Sequence, residues 1–121
     1  MTKKQNPKHY DLEDRTFEFA KRVRTFVKKL PKTITNFEDI KQLVKASGSV
    51  GANYIEANEA LSKKDFKMRI KISRKESKES RYWLRLVDTQ GELELEKERD
   101  YLINESTELM NIFGSILQKS K

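Results

Sequence analysis

Apolar residues recur at steps of three and four along most of the chain, and very little interrupts them. Only 4 Gly and 2 Pro occur in 121 residues, and no stretch shows the apolar and polar alternation of a strand. The clearest breaks are Pro31, Ser62 and Gly91. The spacing therefore predicts an all-α chain of four helices. Since short connections place consecutive helices side by side, we expect an antiparallel up-down four-helix bundle.

The predicted helices have recognisable ends. The first runs from about Leu12 to Leu30, where Pro31 stops it. Thr35 or Asn36 caps the second, whose apolar face includes Ile55 and extends to Leu61. The third starts at a Ser62-Lys-Lys-Asp65 capping motif and reaches about Thr89, and the fourth covers 94–119. The bundle is expected to span 12–121, with 1–11 as a flexible arm. Gly48 and Gly51 indicate either a close helix approach or a local break in the second helix.

Composition limits what such a bundle can do. Hydrophobic residues make up 36% of the chain and charged residues 37%, so the core must be thin. No run approaches the roughly 20 apolar residues that span a bilayer, and the N-terminus lacks the apolar stretch of a signal peptide. We therefore expect a soluble, cytoplasmic protein without a membrane partner.

Residue types also argue against catalysis. The chain has no Cys and a single His, His9, which excludes disulfides, thiolate metal sites and any set that needs two imidazoles. The glycine-rich stretch at 47–51 lacks the Gly-Lys-Ser/Thr of a phosphate-binding loop. Four glutamates on the second and third helices are too few ligands for a di-iron site without histidine, and are expected to neutralise Lys or Arg across helix contacts: Glu56, Glu59, Glu76 and Glu79. The sequence predicts no enzyme, no cofactor and no metal.

Positive charge is concentrated on the first and third helices of this chain, whose net charge is +7. The third helix carries cations that form one stripe at alternating steps of three and four: Lys64, Lys67, Lys71, Arg74, Lys78, Arg81 and Arg85. Together with Lys21, Arg22 and Arg24 of the first helix, they are the candidate RNA- or DNA-binding residues, acting on the phosphate backbone. The alternative is a solvated face whose field is reduced by local pairing with Asp65, Glu76 and Glu79.

Two further faces are predicted on the third helix. One faces the bundle and contains three serines: Phe66, Ile70, Ser73, Ser77, Ser80, Leu84 and Val87. The other carries Met68, Ile72, Trp83 and Leu86 beside Glu76 and Glu79. An exposed patch with an aromatic anchor is typical of a protein contact, so these four apolar residues are the candidate homo-oligomer interface. The alternative is that helices 2 and 4 bury this face within one protomer.

Five stretches together resemble the four-helix-bundle family encoded in intervening sequences of bacterial 23S rRNA genes: FEFA at 17–20, LPKT at 30–33, SVGANYIEA at 49–57, SKKDF at 62–66 and KESKESRYWL at 75–84. The resemblance covers about 15–118. It implies an antiparallel bundle, and it extends to the accessory protein of diversity-generating retroelements, a basic homopentameric ring that binds nucleic acid and partners a reverse transcriptase. The resemblance therefore implies a pentamer and a reverse-transcriptase-like partner. Family members commonly have Arg where this chain has Ile55.

The sequence thus favours a non-catalytic, oligomeric protein that binds nucleic acid as a scaffold or accessory factor. The alternative is a structural or protein-interaction module with no nucleic-acid ligand.

Overall fold

Four long α-helices account for almost all of the chain that the computed structural model describes, which is residues 11–121. They are α1 (Leu12–Lys28), α2 (Ile34–Asn58), α3 (Lys63–Leu86) and α4 (Leu93–Lys119). No strand occurs in this part of the chain, so the all-α prediction is confirmed. The predicted arm lies outside the described residues except for Asp11, which caps α1, and His9 lies outside them as well.

The helices occupy the corners of a square in chain order. Helix α1 packs against α2 and α4, and α3 packs against the same two helices, whereas the Cα atoms of diagonal helices stay more than 8 Å apart. Neighbours are antiparallel: Arg69 of α3 bonds to Asn53 of α2, and Ser73, further along α3, bonds to Val50, further back along α2. The up-down bundle is confirmed, and the two basic helices lie diagonally opposite each other.

Side-chain caps fix where three of the helices begin. Asp11, Thr33 and Ser62 each accept a hydrogen bond from a backbone N–H of the first turn of α1, α2 and α3, respectively. The prediction of Thr35 or Asn36 as the cap of α2 was wrong. Helices α1, α2 and α3 also end two or three residues before the predicted positions. Leu30 precedes Pro31, which disfavours helical backbone, and Val87 is extended, with φ −59° and ψ 147°.

Asn36 joins the two connections at one end of the bundle. Its Nδ2 donates to the carbonyl oxygens of Pro31 and Asp88, both at 2.9 Å, and its Oδ1 accepts from the N–H of Asp88, also at 2.9 Å. The side chain is 1% exposed. Asn36 therefore satisfies backbone groups that no helix can pair, and it ties the α1–α2 connection to the end of α3.

The core runs along the centre of the square. It contains Phe19, Val23, Phe26, Leu43, Val50, Ile70, Leu84, Leu102, Leu109 and Phe113. Two residues predicted on the apolar face of the second helix are exposed instead: Ile55 points away from the core, and Leu61 lies beyond the end of α2. Among residues 11–121, no helix combines the length and apolarity that crossing a bilayer requires.

Glycine allows α1 and α2 to approach closely. Helix α2 is continuous through Gly48 and Gly51, so the alternative of a local break was wrong. A Cβ atom at Gly51 would lie 2.8 Å from Oγ1 and 3.1 Å from Cβ of Thr16, which is itself buried. At Gly48, the nearest atom would be a terminal nitrogen of Arg24, at 3.3 Å. Of these two positions, only residue 51 must be glycine, because the atoms of Thr16 beside it cannot move easily.

We therefore predict that Gly51→Ala lowers the free energy of unfolding by about 1–3 kcal/mol, because α1 and α2 must separate to accommodate the methyl group. Chemical denaturation measures the change. Gly48→Ala is the matched control, since the Arg24 side chain can move and Ala gains up to about 1 kcal/mol of helix propensity. Equal destabilisation by both substitutions would contradict the assignment of Gly51 to the helix contact.

Candidate nucleic-acid interface

Helix α3 is an unbroken rod of 24 residues, about 36 Å long at 1.5 Å per residue. Its predicted bundle-facing side is confirmed, because six of the seven predicted residues are buried and Phe66 is half-buried. The serines on this side bond to backbone carbonyls, including Ser73 to Val50 and Ser77 to Ser73. Because these serines are small and donate to backbone carbonyls, α3 can pack closely against its neighbours. The other two sides of α3 lie at the surface.

The cationic row lies on the side of α3 that faces α4. Arg81 donates to Oγ1 of Thr107 at 3.2 Å, and a Cβ atom at Gly114 would lie 3.7 Å from Nε of Arg74. The row continues along exposed or half-buried positions at Lys64, Lys67, Lys71, Lys78 and Arg85. Steps of three and four residues place successive cations about 5 Å apart along the axis. We call this surface the α3–α4 face.

No lysine or arginine of α3 forms an ion pair with a carboxylate anywhere in residues 11–121. The predicted local pairing with Asp65, Glu76 and Glu79 was therefore wrong. None of Glu56, Glu59, Glu76 and Glu79 forms an ion pair across a helix contact in residues 11–121, but the charge of Lys45 on α2 acts on Glu76 and lowers its pKa against the effect of burial. The positive field of the row is thus reduced by solvent and salt and not by fixed partners.

Three of the six acidic side chains of α4 pair with α1. Arg15 contacts Glu105 at 2.7 Å and Glu108 at 2.7 Å, and the hydrogen bond with Glu105 raises the pKa of Arg15 further above its usual range. Arg22 contacts Glu98 at 2.6 Å, which raises its pKa as well. Arg22 and Glu98 line a groove of about 450 Å³ between α1 and α4, and Arg15 and Glu105 line a second one of about 280 Å³.

The structure therefore separates the predicted binding residues into two groups, three residues on α1 and the row on α3. Arg22 is paired with Glu98, and its guanidinium lies 3.7 Å from the ring centre of Tyr101. Lys21 lies over the ring of Phe17, and Arg24 reaches across to Gly48 of α2. Because α1 and α3 are diagonal, these three residues do not join the row on α3 within one protomer.

The predicted interface residues lie on the side of α3 that faces α2. Met68 and Leu86 are 45% and 49% exposed, and Ile72 and Trp83 are half-buried. Trp83 packs partly on the core and meets the ring of Tyr82 edge-on at 4.9 Å. Complete burial within the protomer, the alternative interpretation, is therefore wrong. Burial, and then the nearby Glu79, raise the pKa of Glu76 on this surface.

Sequence reasoning missed the ion-pair seam between α1 and α4. Arg15 and Glu105 are separated by 90 residues, and only the register of the folded bundle brings them together. The sequence held one signal of this seam: acidic residues are concentrated near the start of α4, and α1 is basic. Within the described residues, no group of three or more His, Cys, Asp or Glu is arranged to hold a metal ion.

Comparison with known proteins supports the same architecture. A crystal structure of a protein of unknown function from the S23 ribosomal protein family of Bacteroides thetaiotaomicron is similar, with a TM-score of 0.74 and 30% sequence identity. The similarity covers 87% of this chain and 96% of that one. No curated protein matches significantly. The family model for the 23S rRNA-intervening sequence protein matches residues 8–115, which is most of the chain. This bundle therefore belongs to the 23S rRNA-intervening sequence protein family.

Proposed function

We propose that this protein is a non-catalytic, homo-oligomeric nucleic-acid-binding protein whose α3–α4 face contacts the phosphate backbone of RNA or DNA. One observation supports this assignment above all. The cations of α3 have no carboxylate partners in residues 11–121, whereas Glu98, Glu105 and Glu108 of α4 pair with arginines of α1. The bundle thus holds positive charge unpaired on one side although the chain carries 19 acidic residues.

Binding of this kind reads the backbone and not the bases. A row of lysine and arginine on a rigid helix attracts a polyanion at long range and gains affinity by releasing its condensed counterions. Single-strand binders stack bases on aromatic side chains that alternate with the cations, and Tyr82, which is 54% exposed, lies at the border of the row and not within it. We therefore expect structured RNA and duplex DNA to bind with little sequence preference.

A salt titration tests the proposal. Fluorescence anisotropy with a labelled RNA hairpin and a duplex DNA of equal length is expected to show binding at 50 mM salt. The logarithm of the affinity should fall linearly with the logarithm of salt concentration, with a slope of about −3 to −6 if four to seven phosphates are neutralised. Absence of binding at low salt would refute the proposal and favour a protein-interaction module. An affinity that does not change with salt concentration would refute binding through phosphate contacts.

Self-association is the second part of the proposal. On the apolar side of α3 that faces α2, Met68 and Leu86 are about half exposed and Trp83 is half-buried. Large apolar patches on small proteins mark contact surfaces, and assembly compensates for a thin core. A ring of five copies is the assembly that the family resemblance favours.

We predict that Trp83→Ala shifts the protein towards smaller particles, because truncation of an aromatic anchor costs a contact about 2 kcal/mol or more. Light scattering over a concentration series measures the mass. Leu61→Ala is the matched control, since Leu61 is 99% exposed and lies between α2 and α3, away from this patch. An unchanged mass for the tryptophan variant would remove Trp83 from the interface.

A further inference from the structure

We propose that the α3–α4 face prefers double-stranded RNA, with the cations of α3 on phosphates and uncharged side chains of α4 on the 2′-hydroxyls of the minor groove. The inference rests on the phosphate binding proposed above and adds the class of nucleic acid that this face selects. The α4 residues concerned are polar, uncharged and exposed, and we call them the α4 amide ridge: Asn104, Asn111, Ser115 and Gln118.

The α4 amide ridge runs alongside the cationic row. Steps of seven residues separate Asn104, Asn111 and Gln118, so these amides share one side of α4 and lie about 10 Å apart along it. The adjoining side of α4 contacts the row, where Thr107 accepts a hydrogen bond from Arg81. Since the axes of packed helices are about 8–10 Å apart, the ridge follows the row at roughly that distance.

The surface beside the row is almost free of charge. In the register set by that hydrogen bond, the row is level with α4 from about residue 103 to its end, and the acid-rich start of α4 lies beyond the end of α3. Between 103 and 118, the only charged residues are Glu105 and Glu108, although 37% of the chain is charged. Both pair with Arg15 of α1. The ridge therefore offers hydrogen bonds beside the row without repelling phosphate.

Most of the ridge side chains have no partner within the protein. Asn111, Ser115 and Gln118 form no side-chain hydrogen bond with residues 11–121, and Asn104 forms only a long one, 3.4 Å from Nδ2 to a carboxylate oxygen of Glu108. Amide and hydroxyl groups both donate and accept, as the 2′-hydroxyl of RNA does. DNA lacks this hydroxyl, so contacts of this kind distinguish the two nucleic acids.

The shape of the face favours the same ligand. Two helices side by side in a square bundle form a flat surface, from which α4 does not protrude. The minor groove of A-form RNA is wide and shallow and displays 2′-hydroxyls between phosphates, so a flat surface reaches it. The major groove of B-DNA is about 8.5 Å deep, and its minor groove, about 6 Å wide, is narrower than an α-helix of about 10–12 Å. On DNA, the row would contact phosphates while the ridge contacted no groove floor.

Anisotropy titrations with RNA and DNA duplexes of one sequence and length test the inference. The wild type is expected to bind the RNA duplex at least about 10-fold more tightly at the same salt concentration, because at least two additional hydrogen bonds form. A 2′-O-methyl RNA duplex keeps the A-form but lacks the hydroxyl donor. It should bind about as weakly as DNA.

The variant N111A/Q118A locates the preference on α4. We expect it to lower the affinity for RNA about 10-fold, to near that for DNA, because two hydrogen-bonding groups are lost. The affinity for DNA and the salt slope should not change, since no charge is removed. The matched control, T35A/Q42A, removes two exposed polar side chains seven residues apart on α2 and should alter neither affinity. Circular dichroism confirms that both variants are folded.

The outcomes separate this inference from the phosphate-binding proposal. Equal affinity of the wild type for RNA and DNA would overturn the inference and leave phosphate binding intact, and so would full affinity for the 2′-O-methyl duplex. An unchanged RNA preference in N111A/Q118A would overturn it as well. So would a loss of DNA binding by that variant, which would show that the amides contact base edges instead. Absence of binding to every duplex at 50 mM salt would refute both proposals together.

Discussion

Replacement of Lys71, Arg74 and Lys78 by Glu is expected to weaken RNA binding at least about 100-fold at 50 mM salt, since three contacts become repulsions. These residues lie at the middle of the α3–α4 face, and none has an ion-pair partner in residues 11–121. Their reversal therefore removes positive charge from the face without breaking a bridge. Thermal unfolding should remain close to that of the wild type, and anisotropy titration measures the affinity.

A matched variant separates the local row from the overall charge of the protein. Lys29, Lys32 and Lys97 are exposed, lie off the α3 row and also lack ion-pair partners within the described residues. Replacement of all three lysines by Glu changes the net charge by the same amount. We expect it to weaken binding less than about 10-fold, through the long-range field alone. Equal losses in the two triple variants would show that net charge, and not the row, determines binding.

Asn36→Ala is expected to lower the free energy of unfolding by about 3 kcal/mol, because three hydrogen bonds are lost and buried backbone groups are left unpaired. The groups are the carbonyl of Pro31 and both backbone polar groups of Asp88. The substitution releases the α1–α2 connection from the end of α3. Urea unfolding followed by circular dichroism measures the change.

The neighbouring Thr35→Ala serves as the control. Thr35 is exposed in the first turn of α2, so its truncation should change stability by less than about 0.5 kcal/mol. Asn36→Asp is a second comparison: it keeps the acceptor for the N–H of Asp88 but loses the donor to two carbonyls, and should be nearly as destabilising as the alanine variant. Full stability of either Asn36 variant would contradict the role assigned to this side chain.

Helix periodicity and capping residues were enough to predict the number of helices, their order and the three sides of α3. These features depend on residues a few positions apart, as in the capping motif from Ser62 to Asp65. The family resemblance, confirmed by the match over residues 8–115, supports the same fold.

Features that depend on helix register could not be predicted from the sequence. Whether an acid neutralises a nearby cation depends on the faces that two helices present to each other. Glu105 therefore pairs with Arg15 across the bundle, while Glu76 forms no ion pair in residues 11–121. The role of Asn36 has the same origin, because its partner Asp88 lies 52 positions away. Ile55 matched the apolar spacing of α2 but falls at the outer edge of that face.

The central claim is that α3 presents a row of unpaired cations to phosphate. Acetylation of lysines with and without a bound RNA hairpin, read by mass spectrometry, tests it most directly. We predict that RNA slows modification of Lys71 and Lys78 on the α3–α4 face and leaves Lys41, on α2, unchanged. Equal protection of all three, or protection of Lys41 alone, would contradict the account.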